Sequence, residues 1–169
     1  GTPVILGDLR TFEGYVESFS PELTEFYPDS VQDILDKAAD MTHPQALHDY
    51  IRTEQSLTID WLRERGDDEE ADEMASVDPT VVPAELIGRV PLTYLPSQEP
   101  LGYSDWRTNE PVETVFIAIL PTDNPWEAPA YLRWGGWNAN PPPEVHITAL
   151  KHYYEEYGAV PLVMSSDIL

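Results

Sequence analysis

In PDSVQDILDKAAD the apolar residues Val31, Ile34, Leu35 and Ala38 recur at helical spacing, with Asp33, Asp36 and Lys37 between them. The segment therefore predicts a helix with one face turned to a core and the other to water. Upstream, Val4 to Leu6 predicts a short strand. SPELTEFYP, with Ser20 as cap and Pro21 at the first helical position, predicts a short helix. Thr42 and Gln45 have capping-box spacing, and Leu47, Tyr50, Ile51, Thr58, Trp61 and Leu62 carry a helical period on to Gly66. Two antiparallel helices are the expected result.

After Asp78 the texture changes, because prolines at 79, 83, 91, 96, 100 and 111 exclude a long helix. Arg89 to Leu95 and Glu113 to Leu120 predict strands, the second apolar enough to be buried on both faces. Asn124 before Pro125, and Asn140 before PPPE, predict two helix caps. In the second of these helices His146, Ala149, Leu150, Tyr153, Tyr154 and Tyr157 form one stripe, expected to face inward, and Gly158 ends it. Ala159 to Met164 predicts a strand, placed parallel to and beside Glu113 to Leu120 through a right-handed crossover. The fold class is α+β, with a helical part (1–79) packed on a small mixed sheet with a crossover helix (80–169).

Charge adds the most unusual global property. The 169 residues carry 31 acidic and 9 basic side chains, a formal net charge of −22. Such a field repels nucleic acid and anionic lipid surfaces, so neither direct nucleic-acid nor membrane binding is expected. It fits general solubility or a salt-rich source, a surface that meets a basic protein, or mimicry of nucleic-acid phosphates, in that order. The densest acidic run, Gly66 to Glu73, is local and predicts a solvated helix end or linker. With no cysteine, thiol catalysis and thiolate metal sites are excluded. No apolar run approaches the ~18 residues of a membrane span, and the start lacks a secretory pattern, so a soluble, cytoplasmic protein is expected.

Catalytic signatures are absent. His43 and His48 are five apart and His146 and His152 six apart, so neither pair shares a helix face in metal-binding register, and no metal or cofactor is expected. No phosphate-binding glycine loop or nucleophile elbow occurs. Ser165, Ser166 and Asp167 sit where open α/β sheets bind ligands, though a plain strand-end turn is the leading expectation. The one distinctive stretch is YLRWGGWNANPPPE, residues 131–144. Gly135 and Gly136 permit a sharp turn flanked by Trp134 and Trp137, which predicts a structural corner packed on the domain. The same residues would also build a groove with an aromatic floor, edged by Arg133, Asn138 and Asn140. Both readings stay open, the corner leading.

At these residues the chain resembles a family, the bacterial and archaeal domain of unknown function 4253. The resemblance rests on IAILPTDNPWEAPAYL, WGGWNANPPPEVH, ALKHYYEEYGA and VPLVMSSDIL and covers about residues 112–169. It implies that 80–169 is like the first half of that domain, which continues through another helix and a tryptophan-rich strand. It implies no activity, so Trp134, Gly135, Gly136, Trp137 and Asn138 enter as motif positions and no catalytic residue is carried over. The leading function is a non-catalytic acidic binding module, immunity-like or regulatory, that masks a basic protein partner. The alternative is a small-molecule binder or enzyme using the Trp134 to Asn140 groove with His146 or Asp167 nearby, and a DNA mimic ranks third. An open sheet edge would also let two copies pair as a homodimer.

Overall fold

The computed structural model describes residues 1–20, 29–81, 110–136 and 140–164. The expected helix over 21–28, the strand Arg89 to Leu95 and the turn Ser165 to Asp167 lie outside them. The elements are β1 (Thr2–Gly7), α1 (Leu9–Ser18), α2 (Val31–Ala39), α3 (Gln45–Arg65), α4 (Asp68–Ala75), β2 (Phe116–Leu120), a 3-10 turn (Pro125–Glu127), α5 (Ala128–Leu132) and α6 (Pro143–Tyr157). The class is α+β, with β1 and β2 forming a two-stranded antiparallel sheet among the described residues. The chain divides into two compact units, Gly1–Pro44 with Gly102–Leu169, and Gln45–Leu101. Strand pairing explains why the first residues group with the last third rather than with α3.

β1 is the pivot of the first unit. Thr2 pairs with Leu120, Val4 with Ala118 and Ile5 with Ile117, and the register slips between Ile5 and Gly7. On its other side Ile5 donates to the Leu162 carbonyl at 2.9 Å and accepts from Met164 N–H at 2.9 Å, a parallel bridge to Val163. Backbone groups alternate along a strand, so Pro3, two residues from Ile5, turns its nitrogen away from β2 and deprives the ladder of no donor. This arrangement corrects two expectations. The segment containing Val163 lies beside β1, not beside β2, so no parallel crossover joins Glu113–Leu120 to it. β2 is also not buried on both faces, since Ile117 and Ile119 are 58% and 69% exposed.

Two apolar clusters form beneath these elements. Val4, Leu6, Tyr15, Leu120, Ala128, Leu132 and Met164 make the first, and Phe12 and Phe116 stack beside it with centroids 4.5 Å apart. The Tyr15 hydroxyl donates to the Met164 carbonyl at 2.8 Å, which keeps a buried polar group satisfied while tying α1 to the 162–164 segment. Ile34, Ala38, Ala130 and Ile147 make the second cluster, with Trp126 against it. α5 serves both, since Ala128 and Leu132 belong to the first cluster and Ala130 to the second.

Helix ends follow local chemistry closely in some places and depart from it in others. Asp8 caps α1 by accepting from Thr11 N–H at 2.9 Å, and that bond holds its carboxyl below the ordinary carboxylate value. Ser30 and Asp33 form a reciprocal capping box at α2, where Ile34 and Ala38 are buried as the periodicity predicts. At α3, however, the Gln45 amide donates to Asp49 at 2.6 Å rather than reaching back to Thr42. Asn124 occupies the cap position before Pro125 without a side-chain cap bond, and its amide instead donates to Glu127 at 2.7 Å. α6 starts at Pro143 with no side-chain cap from Asn140.

The described residues of the second unit form a helix pair. Gly66, at φ 83°, closes α3: its N–H bonds Arg63 O at 3.0 Å and Asp67 N–H bonds Leu62 O at 3.0 Å, a left-handed glycine termination. GDDEEADE is therefore not a linker but mostly α4, with Ala71 fully buried. Gln55 donates to the carbonyls of Met74 and Val77, both at 2.8 Å, and Arg63 reaches Asp72 at 3.4 Å. These partners run in opposite sequence directions, so α3 and α4 are antiparallel.

Removing the α1 cap tests the first unit. Asp8→Ala should lower unfolding free energy by about 1 kcal/mol in urea titration, and an unchanged midpoint would show that Thr11 N–H finds another acceptor.

Candidate functional site

The predicted stretch does form a corner. α5 ends at Arg133, which takes left-handed geometry at φ 48°, and Trp134 N–H bonds the Pro129 carbonyl at 2.9 Å. The chain then doubles back: Gly136 N–H is shared between the carbonyls of Asn140 at 3.1 Å and Pro141 at 3.0 Å. Gly135, at φ 119°, lies flat against the returning strand of chain. A Cβ there would sit 2.3 Å from Pro141 O and 2.9 Å from the His146 ring. Glycine is thus required twice, by backbone conformation and by contact.

His146 on α6 fills the space inside the corner. Its ring lies 4.5 Å from that of Trp134, tilted by 56°, and Nε2 is 2.9 Å from Asn140 Oδ1. Asn140 is an acceptor, so Nε2 carries the proton in this arrangement. Burial pushes the imidazole pKa below its ordinary value, with the Pro141 carbonyl pulling partly the other way. Sequence reasoning named Asn140 as a helix cap and a groove edge; its side chain is instead spent on His146. Trp134 packs against the first apolar cluster. The Arg133 guanidinium lies 5.2 Å from the Phe19 ring. Of the candidate residues, Arg133, Trp134, Gly135, Gly136 and Asn140 are brought together, while Trp137 and Asn138 lie outside the described residues.

A second constellation was not foreseen. α6 buries Val145, Ile147 and Thr148, and its tyrosines are not an inward stripe: Tyr153 is 45% and Tyr157 74% exposed. The helix is rotated to place Ile147 on the α2 cluster. This turns His152 toward the chain that follows α2, where it stacks on His43 with centroids 4.7 Å apart, and Tyr153 lies 5.7 Å from His43. A cavity of about 240 Å³ opens here, lined among others by Thr42, His43, Thr148, Lys151, His152 and Glu155. Helix spacing separates His146 from His152 correctly, but the signal for His43 meeting His152 lies between elements and no spacing rule reaches it. Among the described residues no group of three or more metal-ligating side chains converges.

Two outcomes follow from the corner. Gly135→Ala should cost roughly 2–4 kcal/mol, through strain and overlap together. Gly158→Ala, left-handed at φ 68° but with nothing within 4 Å, should cost about 1 kcal/mol; equal losses would refute the close-packed corner.

His146 has its folded pKa lowered, so its stabilising contribution is complete above the ordinary imidazole value of 6.5 and is lost as pH falls toward the folded value. Relative to His146→Gln, wild type should lose stability between pH 7.5 and pH 5.5, measured by urea unfolding at the two pH values. Parallel pH profiles would count against a neutral buried ring.

A family model described as Domain of unknown function (DUF4253) matches residues 116–169, about a third of the chain. No curated protein and no solved structure matches. The match spans β2, α5, the corner and α6, the elements on which the resemblance rested. Residues 116–169 are thus similar to the family described as Domain of unknown function (DUF4253).

Proposed function

We propose that this protein is a non-catalytic binding module whose acidic surface engages a basic protein partner, in a cytoplasmic setting. One observation carries the reading. Residues 45–81 hold eleven acidic side chains against three arginines. All three arginines already have acidic neighbours within the same helix pair: Arg52 with Asp78 at 4.0 Å, Arg63 with Asp72 at 3.4 Å and Arg65 with Asp67 at 3.4 Å. The remaining carboxylates have no cation of their own there, and Asp60, Glu64, Asp68, Glu69, Glu70 and Glu73 are exposed. Such exposed pairs add little stability, whereas a one-signed surface steers a cationic partner and rejects anionic ones.

The aromatic corner lends less support to the small-molecule or enzyme reading. Gly135 is closed against Pro141 and His146, and the polar side chain of Asn140 is engaged with His146.

The test separates local from global charge. Reversal of Glu69, Glu70 and Glu73 to Lys should weaken binding of a lysine- and arginine-rich peptide at least roughly tenfold more than reversal of Glu13, Glu17 and Glu156. Wild-type affinity should also fall steeply between low and high salt. Equal losses from the two triple variants in biolayer interferometry would reduce the acidity to general solubility.

A further inference from the structure

The acidic helix pair also carries an apolar ridge. Leu57 and Trp61 are one helical turn apart on α3 and are 60% and 51% exposed, so their side chains are neighbours on one face. One more turn on, the Arg65 guanidinium lies 4.3 Å from the Trp61 ring centroid, and its charge is met by Asp67 at 3.4 Å. Asp60 and Glu64, both exposed, form the next row around the helix. The opposite side of α3 buries Leu62 and bonds α4 through Gln55. Leu57 and Trp61 therefore contribute little to the packing of the pair they belong to.

We propose that the Leu57–Trp61 ridge is the docking face of this module, and that its occupant is a basic amphipathic segment of a partner protein. The inference rests on the acidic-module reading above and adds to it an apolar anchor. The segment's apolar side chains cover Leu57 and Trp61, and its lysines or arginines meet Asp60 and Glu64. Charge decides between occupants. A second copy of this chain would bring another net charge of −22 to the same face, which opposes pairing, whereas a cationic segment is attracted. Tryptophan is the residue type that most often anchors such interfaces, because it buries a large area at small entropic cost. Arg65 already demonstrates that the ring accepts a guanidinium.

The experiment uses the full chain and two labelled peptides of identical lysine–leucine composition, one amphipathic as a helix and one scrambled, read by fluorescence anisotropy at about 150 mM salt. Wild type should bind the amphipathic peptide at least roughly tenfold more tightly than the scrambled one. Trp61→Ala should erase that preference, Trp61→Phe should keep most of it, and Leu57→Ser gives a second route to the same loss if Trp61→Ala melts early. Equal binding of both peptides, unaffected by Trp61→Ala, would overturn the ridge while leaving the acidic module standing. Absence of binding to either peptide would overturn both. A wild-type dimer in sedimentation velocity that Trp61→Ala converts to monomer would assign the ridge to self-association and overturn the basic partner.

Discussion

The first unit depends on the two-sided pairing of β1. Ile5 sits opposite Ile117 on one side and exchanges two hydrogen bonds with Leu162 and Met164 on the other. A two-stranded ribbon alone is marginal in water, and the third segment gives β1 partners on both edges. The same geometry sets the core, since the face of β1 carrying Val4 and Leu6 meets Tyr15, Leu120, Leu132 and Met164. α1 is then fixed at both ends, by the Asp8 cap and by the Tyr15 hydroxyl on the Met164 carbonyl.

From that sheet the chain builds the corner by crowding rather than by flexibility. α5 is short and buries four of its five residues, and Arg133 ends it in a left-handed conformation. Gly135 lets the backbone press on Pro141, and His146 occupies what would otherwise be a hollow beneath Trp134. The imidazole is bonded by Asn140 and tilted against an indole, and its burial favours the neutral ring. Among its described residues the stretch thus achieves close packing, with the Asn140 side chain used on His146.

The helix pair of residues 45–81 follows a different logic. Its termination at Gly66 and its antiparallel alignment are secured by backbone geometry and by Gln55, while its arginines are consumed locally. What remains outside is acidic, interrupted by Leu57 and Trp61. Packing is therefore one-sided here: the side of α3 bearing Leu62 serves stability, and the side bearing Trp61 has no packing role within the pair.

The sequence by itself determined what depends on near neighbours in the chain. The Ile34 and Ala38 face of α2, the strand at Val4 to Leu6, the glycine ends at Gly66 and Gly158, the α+β class and the glycine corner were legible in this way. Tertiary structure decided the rest. Asn140 has two competing partners, a helix N-terminus and an imidazole, and only the fold of α6 against the corner selects His146. The tyrosine stripe of α6 obeys helical periodicity as well as the Val145, Ile147 and Thr148 face does, and the choice between them is made by what α2 offers in space. Placement of Val163 beside β1 instead of β2, and the meeting of His43 with His152, join residues more than a hundred positions apart. Local periodicity carries no information about such pairs, because they are fixed by competition among surfaces for burial.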